Sequence, residues 1–188
     1  MDSQKKDKEK ERKKKVGQLI KDLNTKVPEK ISSALEGLQS HGDSSVIESI
    51  LNVWLSGINE QNTNEVTNFL NDIKYSDSAD FIMEAIKNKK YASLRQQLLN
   101  IVWNSKVDYS EFLVDFISIA VHGDFMETLE CLTIIENLEG PFQEYQLLES
   151  QVILSEYAEV KSKSKQKAQL MSEIAVILKD IEANHVEF

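Results

Sequence analysis

The chain has 188 residues, 41% of them hydrophobic. That is enough for a packed core and too much for a disordered chain, and at about 150 residues per domain it makes one domain or at most two. Lys and Arg total 22 against 31 Asp and Glu, a formal net charge of −9, so the chain as a whole is a poor nucleic-acid binder. One cysteine excludes a disulfide framework and a cysteine-based zinc site, and six glycines with two prolines are few for a loop-rich α/β enzyme or a tight-turned sandwich.

The expected elements begin with a charged arm. Residues 1–15 hold eight bases and four acids, a charge of +4 that leaves −13 for the rest of the chain. They contain no apolar side chain beyond Met1, and are expected as a flexible arm or a frayed, solvated helix. A helical period sets in at Val16, Leu19, Ile20 and Leu23. Pro28 opens the next helix, where its missing N–H costs nothing, and Ile31, Ala34, Leu35 and Leu38 form its apolar stripe. Ser40-His41-Gly42 ends that helix, with Gly42 available for the left-handed position after a helix. Asp43 or Ser44 caps a helix with Ile47, Ile50, Leu51, Trp54 and Leu55 inward, closed by Gly57.

Thr63 or Asn64 is expected to open the helix of Val66, Phe69, Leu70 and Ile73, and Asp77 or Ser78 that of Phe81, Ile82, Ala85 and Ile86. After a polar turn come Leu94, Leu98, Leu99, Val102 and Trp103. Asp108 caps the helix of Phe112, Leu113, Phe116, Ile117 and Ala120. His122-Gly123-Asp124 breaks the chain before Phe125, Leu129, Leu132, Ile135 and Leu138, and Gly140-Pro141 is the last strong punctuation. Phe142 to Tyr157 reads as one longer helix, Lys161–Lys165 as a polar connection, and Leu170, Met171, Ile174, Ala175, Leu178 and Ile181 as an amphipathic helix. No segment alternates with period two, so no strand is expected. No apolar run approaches the roughly 18 residues of a membrane span, and the charged N-terminus lacks the apolar centre of a signal peptide. A cytoplasmic protein is expected.

Helix starts near 28, 43, 61, 78, 91, 108, 124, 142 and 165 place starts two helices apart at roughly 30–40 residues, the range of two-helix solenoid units. Short connections imply antiparallel neighbours, and stacking must bury the stripes of helices too short to stand alone. An echo recurs at an offset of 81 residues: His41-Gly42-Asp43 matches His122-Gly123-Asp124, and Ile31, Leu35 and Leu38 match Phe112, Phe116 and Ile119. The offset equals two units of about 40 residues, yet five helix starts separate the copies, out of phase with strict pairing. Either a boundary is misplaced or Gly-Asp recurs as a good helix stop and start.

The stretch from Tyr91 to Trp103 resembles a HEAT-type repeat helix in its small residue, its leucines and its Arg95 five residues from the turn. With the following helix over 108–121 it is similar to one repeat unit, and the resemblance covers roughly residues 28–140. The chain also resembles small bacterial proteins known only for carrying HEAT repeats. The resemblance implies an all-α protein, an α-solenoid of HEAT-like antiparallel helix pairs over 16–140, preceded by the arm at 1–15 and capped by a C-terminal helical hairpin over 141–188. It implies partner binding along a solenoid face and brings no catalytic residues.

The chemistry-bearing residues are sparse. His41 and His122 each precede a glycine at a helix end, where an imidazole interacts with the helix dipole; a metal or acid–base site would need His122 beside Asp124 or Glu127. Cys131, between Leu129 and Leu132, reads as a buried, inert thiol. Glu127, Glu130 and Glu136 read as surface charge on one helix. There is no Ser/His/Asp motif, P-loop or glycine-rich nucleotide fingerprint. Trp54 and Trp103 follow Leu-Asn dipeptides and read as packing or, alternatively, as aromatic anchors on a concave face. Asn52 and Asn100 are placed to bond a neighbouring backbone or a peptide.

From Val107 to Val160 there are twelve acids and no Lys or Arg. The function expected is therefore a non-catalytic, protein-binding scaffold or adaptor that uses an acidic solenoid surface, with no cofactor or metal. The partner is a protein with a basic surface, selected by charge and released by salt. The candidate partner-binding residues are Asn52, Trp54, Asn100, Trp103, Asp124, Glu127 and Glu130. The alternative is a nucleic-acid-associated protein that uses the basic arm; a third reading is a small helical-bundle enzyme with a carboxylate/His site. The arm itself is a solubilising tail, a segment docked on the acidic body, or a contact for an anionic partner.

Overall fold

Helix formation follows the local signals closely. A computed structural model describes residues 2–75, 77–159 and 164–185, with side chains from residue 6 to residue 184 within those ranges. Among the described residues there are ten α-helices and no strand, and no helix is long and apolar enough to cross a membrane. The chain divides into two compact units, Met1–Leu94 and Arg95–Phe188.

The first unit contains α1 (Asp2–Asn24), α2 (Pro28–His41), α3 (Ile47–Leu55), α4 (Glu60–Asn71) and α5 (Ser78–Lys87). A 3-10 turn, Ser44–Val46, leads into α3, and a second, Lys89–Leu94, follows α5. The charged residues of the arm are the first turns of α1, which runs on through residue 15 without a break. Lys, Glu and Arg favour helix intrinsically, and Glu9 supports it by pairing with Arg12 at 2.9 Å and Lys13 at 3.9 Å, three and four residues on. Further along, Val16 and Leu23 are buried. α1 packs on α2 and α3, α2 on α4, and α3 on α4 and α5. Leu23, Ile31, Leu38, Ile50, Leu70 and Ile82 are fully enclosed in this core.

The second unit contains α6 (Arg95–Asn104), α7 (Leu113–His122), α8 (Phe125–Glu136), α9 (Glu144–Glu159) and α10 (Lys165–His185). α6 packs on α8, α7 on α8 and α9, and α10 on α7, α8 and α9. Phe116 is fully buried, and the Tyr109 ring meets it edge-on with centroids 6.4 Å apart. Gln146 is buried on α9 because its amide donates to the carbonyls of Ser110 and Glu111, at 3.1 and 3.0 Å.

Three expectations are corrected. The helix of Val66 opens at Asn59, not at Thr63 or Asn64: the Asn59 side chain accepts from the Asn62 N–H at 2.8 Å, adding a turn ahead of the apolar stripe. Gly42 is not left-handed; it has φ −71°, ψ 176°, and Gly123 has the nearly identical φ −74°, ψ 178°. Crowding excludes a side chain there, since a Cβ on Gly42 would lie 2.7 Å from the Leu38 carbonyl oxygen. The stretch Tyr91–Trp103 is not one helix: Tyr91, at φ −103°, ψ 17°, interrupts it, and α6 starts at Arg95. Of the connection expected at Lys161–Lys165, residues 161–163 lie outside the described residues.

The units share three pairings. Among the described residues each has five α-helices, and in each the first packs on the third, the second on the fourth and the third on the fifth. The first packs on the second, α1 on α2, only in the first unit, and the second on the third, α7 on α8, only in the second. The two His-Gly-Asp turns join the second helix to the third in both units. The five-helix spacing of the echo is thus the length of one unit.

Candidate protein-interaction face

The seven candidate residues fall in two groups. Asn52 and Trp54 belong to the first unit. Asn52 accepts a hydrogen bond from the Tyr91 hydroxyl at 2.9 Å, and Trp54 is buried in the core at 7% exposure. Trp54 therefore packs within the core of the first unit. The other five belong to the second unit. Asn100 accepts from the Asn104 side-chain amide, one turn on, through its carbonyl and its Oδ1. Trp103 is 42% exposed, and its indole N–H donates to Glu130 Oε2 at 3.1 Å.

Asp124 and Glu127 are committed to structure. Glu127 N–H donates to Asp124 Oδ1 at 2.9 Å, and Asp124 N–H donates to Glu127 Oε2 at 3.1 Å, a reciprocal cap on α8. Arg95 pairs with Glu127 at 3.3 Å. The structure thus joins Trp103 to Glu130, and Glu127 to both Asp124 and Arg95.

The His-Gly-Asp turns are both held by cations from other helices. At the first, Arg12 donates to the His41 carbonyl at 2.9 Å and to Asp43 Oδ2 at 3.1 Å, and the Lys15 ammonium donates to His41 Nε2 at 2.6 Å. The Asp43 carboxyl is held below its ordinary value, first by the Ser45 hydroxyl and then by Arg12. At the second, Lys167 donates to the carbonyls of Val121 and Gly123, at 2.8 and 2.5 Å. Burial lowers the Lys167 pKa, against the pull of Glu127 and Asp124. Cations suit these places because a helix C-terminus carries partial negative charge. His122 sits at the same helix end, with Nδ1 2.8 Å from the Ser118 carbonyl oxygen.

These clamps were missed from sequence, although a signal existed. The chain has two arginines among its 22 bases, and each pairs with an acid at the helix start after a His-Gly-Asp turn. The arm is thereby docked within its own unit through Arg12.

Charge and exposed apolar groups share one unit. Residues 1–94 hold fifteen bases and fifteen acids, so the first unit is neutral; residues 95–188 hold seven bases and sixteen acids and carry the whole −9. Of the eight large apolar side chains exposed among the described residues, only Val27 lies in the first unit. Trp103, Phe125, Met126, Tyr145, Leu148, Val152 and Val176 lie in the second, and Tyr145, Leu148 and Val152 follow one face of α9.

Trp103 also edges a groove of about 360 Å³. Its walls are the C-terminal ends of α6 and α8 and the segments that follow them. Buried Val102, Tyr109 and Ile134 form the floor, and Asp108, Glu139 and Lys106 stand on the rim. Burial pushes the Tyr109 hydroxyl up to about 12. Cys131 is fully buried, and that burial, with Glu127 and Glu130 nearby, raises its thiol pKa. No group of three or more His, Cys, Asp and Glu placed to hold a metal ion occurs among the described residues. Comparison with protein-family models, curated proteins and solved structures finds no match to the chain.

Proposed function

We propose that this protein is a non-catalytic scaffold or adaptor whose acidic second unit receives a partner protein with a basic surface. One observation carries the reading: of the eight large apolar side chains exposed among the described residues, the unit with the whole net charge holds seven. Apolar contact supplies affinity, and charge of one sign steers the encounter and selects the partner. Trp103, solvent-facing and oriented by Glu130, is the aromatic anchor of this reading. Within each unit, packing of helices on the next but one supports HEAT-like helix stacking as the scaffold, with α9 and α10 as the closing hairpin of the second unit.

Capture of partners from the native cell on the immobilised chain, washed from roughly 0.05 to 0.5 M salt, tests the reading. Basic proteins are expected on the wild type, released by salt and strongly reduced on Trp103→Ala. Capture of acidic proteins, or capture indifferent to both salt and Trp103, overturns it. Retention of nucleic acid through residues 1–15 would instead favour a nucleic-acid role for the arm.

A further inference from the structure

The groove beside Trp103 has a composition that specifies its ligand more narrowly than the surface around it. Its apolar surface is that of Trp103 and of half-buried Val107 and Leu138, laid over the buried Val102, Tyr109 and Ile134. One wall is the exposed indole of Trp103, pinned through its N–H by Glu130 at 3.1 Å. The ends are the C-termini of α6 and α8, which bring two helix dipoles to the groove by their negative poles. Asp108 and Glu139 add carboxylates at the rim; one Asp108 oxygen accepts from the Ser110 N–H at 2.9 Å.

We propose that this groove binds the side chain of an arginine presented by the partner protein. The inference rests on the protein-binding reading above and names the chemistry of its anchor. An aliphatic stem suits the Val107 and Leu138 surface, and a planar cation stacks on an indole face. Arginine fits better than lysine because two carboxylates, Asp108 and Glu139, stand on the rim, and a guanidinium carries five N–H donors in a fixed fork where an ammonium carries three. Lys106 is the one base among the residues lining the groove. It opposes an incoming cation, so its removal strengthens binding.

The two tryptophans make the test direct, since one is buried and the other lines the groove. Blocked Gly/Ser peptides carrying one arginine, one lysine or one citrulline are titrated against the full-length chain. The indole N–H resonances are followed by NMR and assigned with Trp103→Phe. The arginine peptide is expected to shift the Trp103 resonance saturably and to leave Trp54 unmoved. Lysine should bind more weakly, and the neutral citrulline not at all. Glu139→Gln should weaken the arginine peptide by about two- to fivefold and Lys106→Gln strengthen it by about two- to threefold.

A Trp103 resonance unmoved by arginine, or moved equally by citrulline, overturns the proposal, as does binding indifferent to both Glu139→Gln and Lys106→Gln. Retained capture of a basic partner alongside those results would leave the scaffold reading standing and refute the groove alone. Arginine binding without any captured protein would do the reverse.

Discussion

The guanidinium of Arg12 lies 3.1 Å from the carboxylate of Asp43, 31 residues away, and joins α1 to the turn between α2 and α3. Asp43 also caps the start of the next 3-10 turn by accepting from the Ser45 N–H. Asp43→Ala should therefore destabilise by about 1 kcal/mol through the lost cap. Arg12→Ala should lower the melting temperature by less, in a salt-sensitive way, because the pair is partly exposed. The Asp43 carboxyl is held below its ordinary value in the fold. Its stabilisation is thus complete above the unfolded-state value near pH 4 and is lost as pH falls through the lower folded value. Thermal melts between about pH 2 and 6 should show an acid-side decline that Asp43→Asn flattens; parallel profiles would contradict this.

Gly57 and Gly42 are glycine for different reasons. Gly57 takes φ 80° with no atom near its missing Cβ, whereas Gly42 is extended and hemmed in by the Leu38 carbonyl and the Tyr75 hydroxyl. Gly57→Ala should cost about 1 kcal/mol, and Gly57→Asn less, since Asn tolerates the left-handed region. Gly42→Ala should cost about 1–3 kcal/mol, with no rescue by Asn, since the obstacle is steric. Denaturant midpoints of the four variants test the distinction; equal rescue at both sites would refute it.

Tyr109 makes the second unit sensitive to alkali. Its hydroxyl is pushed up to about 12 by burial, from an ordinary value near 10. Between those values the unfolded chain loses the proton and the folded chain keeps it, so stability falls as pH rises past 10, by roughly 2–3 kcal/mol at the upper end. Tyr109→Phe should remove that part of the decline. Chemical denaturation at pH 9, 10 and 11 provides the comparison.

Cys131 should be silent to thiol reagents in the native state, since it is fully buried and its thiolate is disfavoured. Modification by an aromatic disulfide reagent should proceed only as the second unit opens, and should accelerate with denaturant in step with unfolding. Fast labelling at neutral pH would mean that α8 is loosely seated.

The helices were legible because their stripes carry local information: Ile31, Ala34, Leu35 and Leu38 state both the helix and its inner face. Asn59 is not legible because its cap stands ahead of the stripe, and an Asn in a polar run looks like any loop residue. The site was harder to see. Trp54 and Trp103 follow the same Leu-Asn dipeptide, yet one is enclosed and the other faces solvent. That outcome depends on which helices cover them, which no local window records. Arg12 and Lys167 are hidden for the same reason: their partners lie 29 to 46 residues away along the chain.

The contact between Arg12 and the α2–α3 turn bears on how the protein can be shortened. By composition, the natural place to trim the chain is the end of the lysine run, between Lys15 and Val16. That cut falls inside α1 and takes Arg12 with it, along with Lys15, the neighbour of His41. The trimmed protein would keep every apolar residue of the core and still lose the bolt on one of its joints. A gradual loosening of the first unit, rather than the clean removal of a tail, is what limited proteolysis of such a protein should reveal.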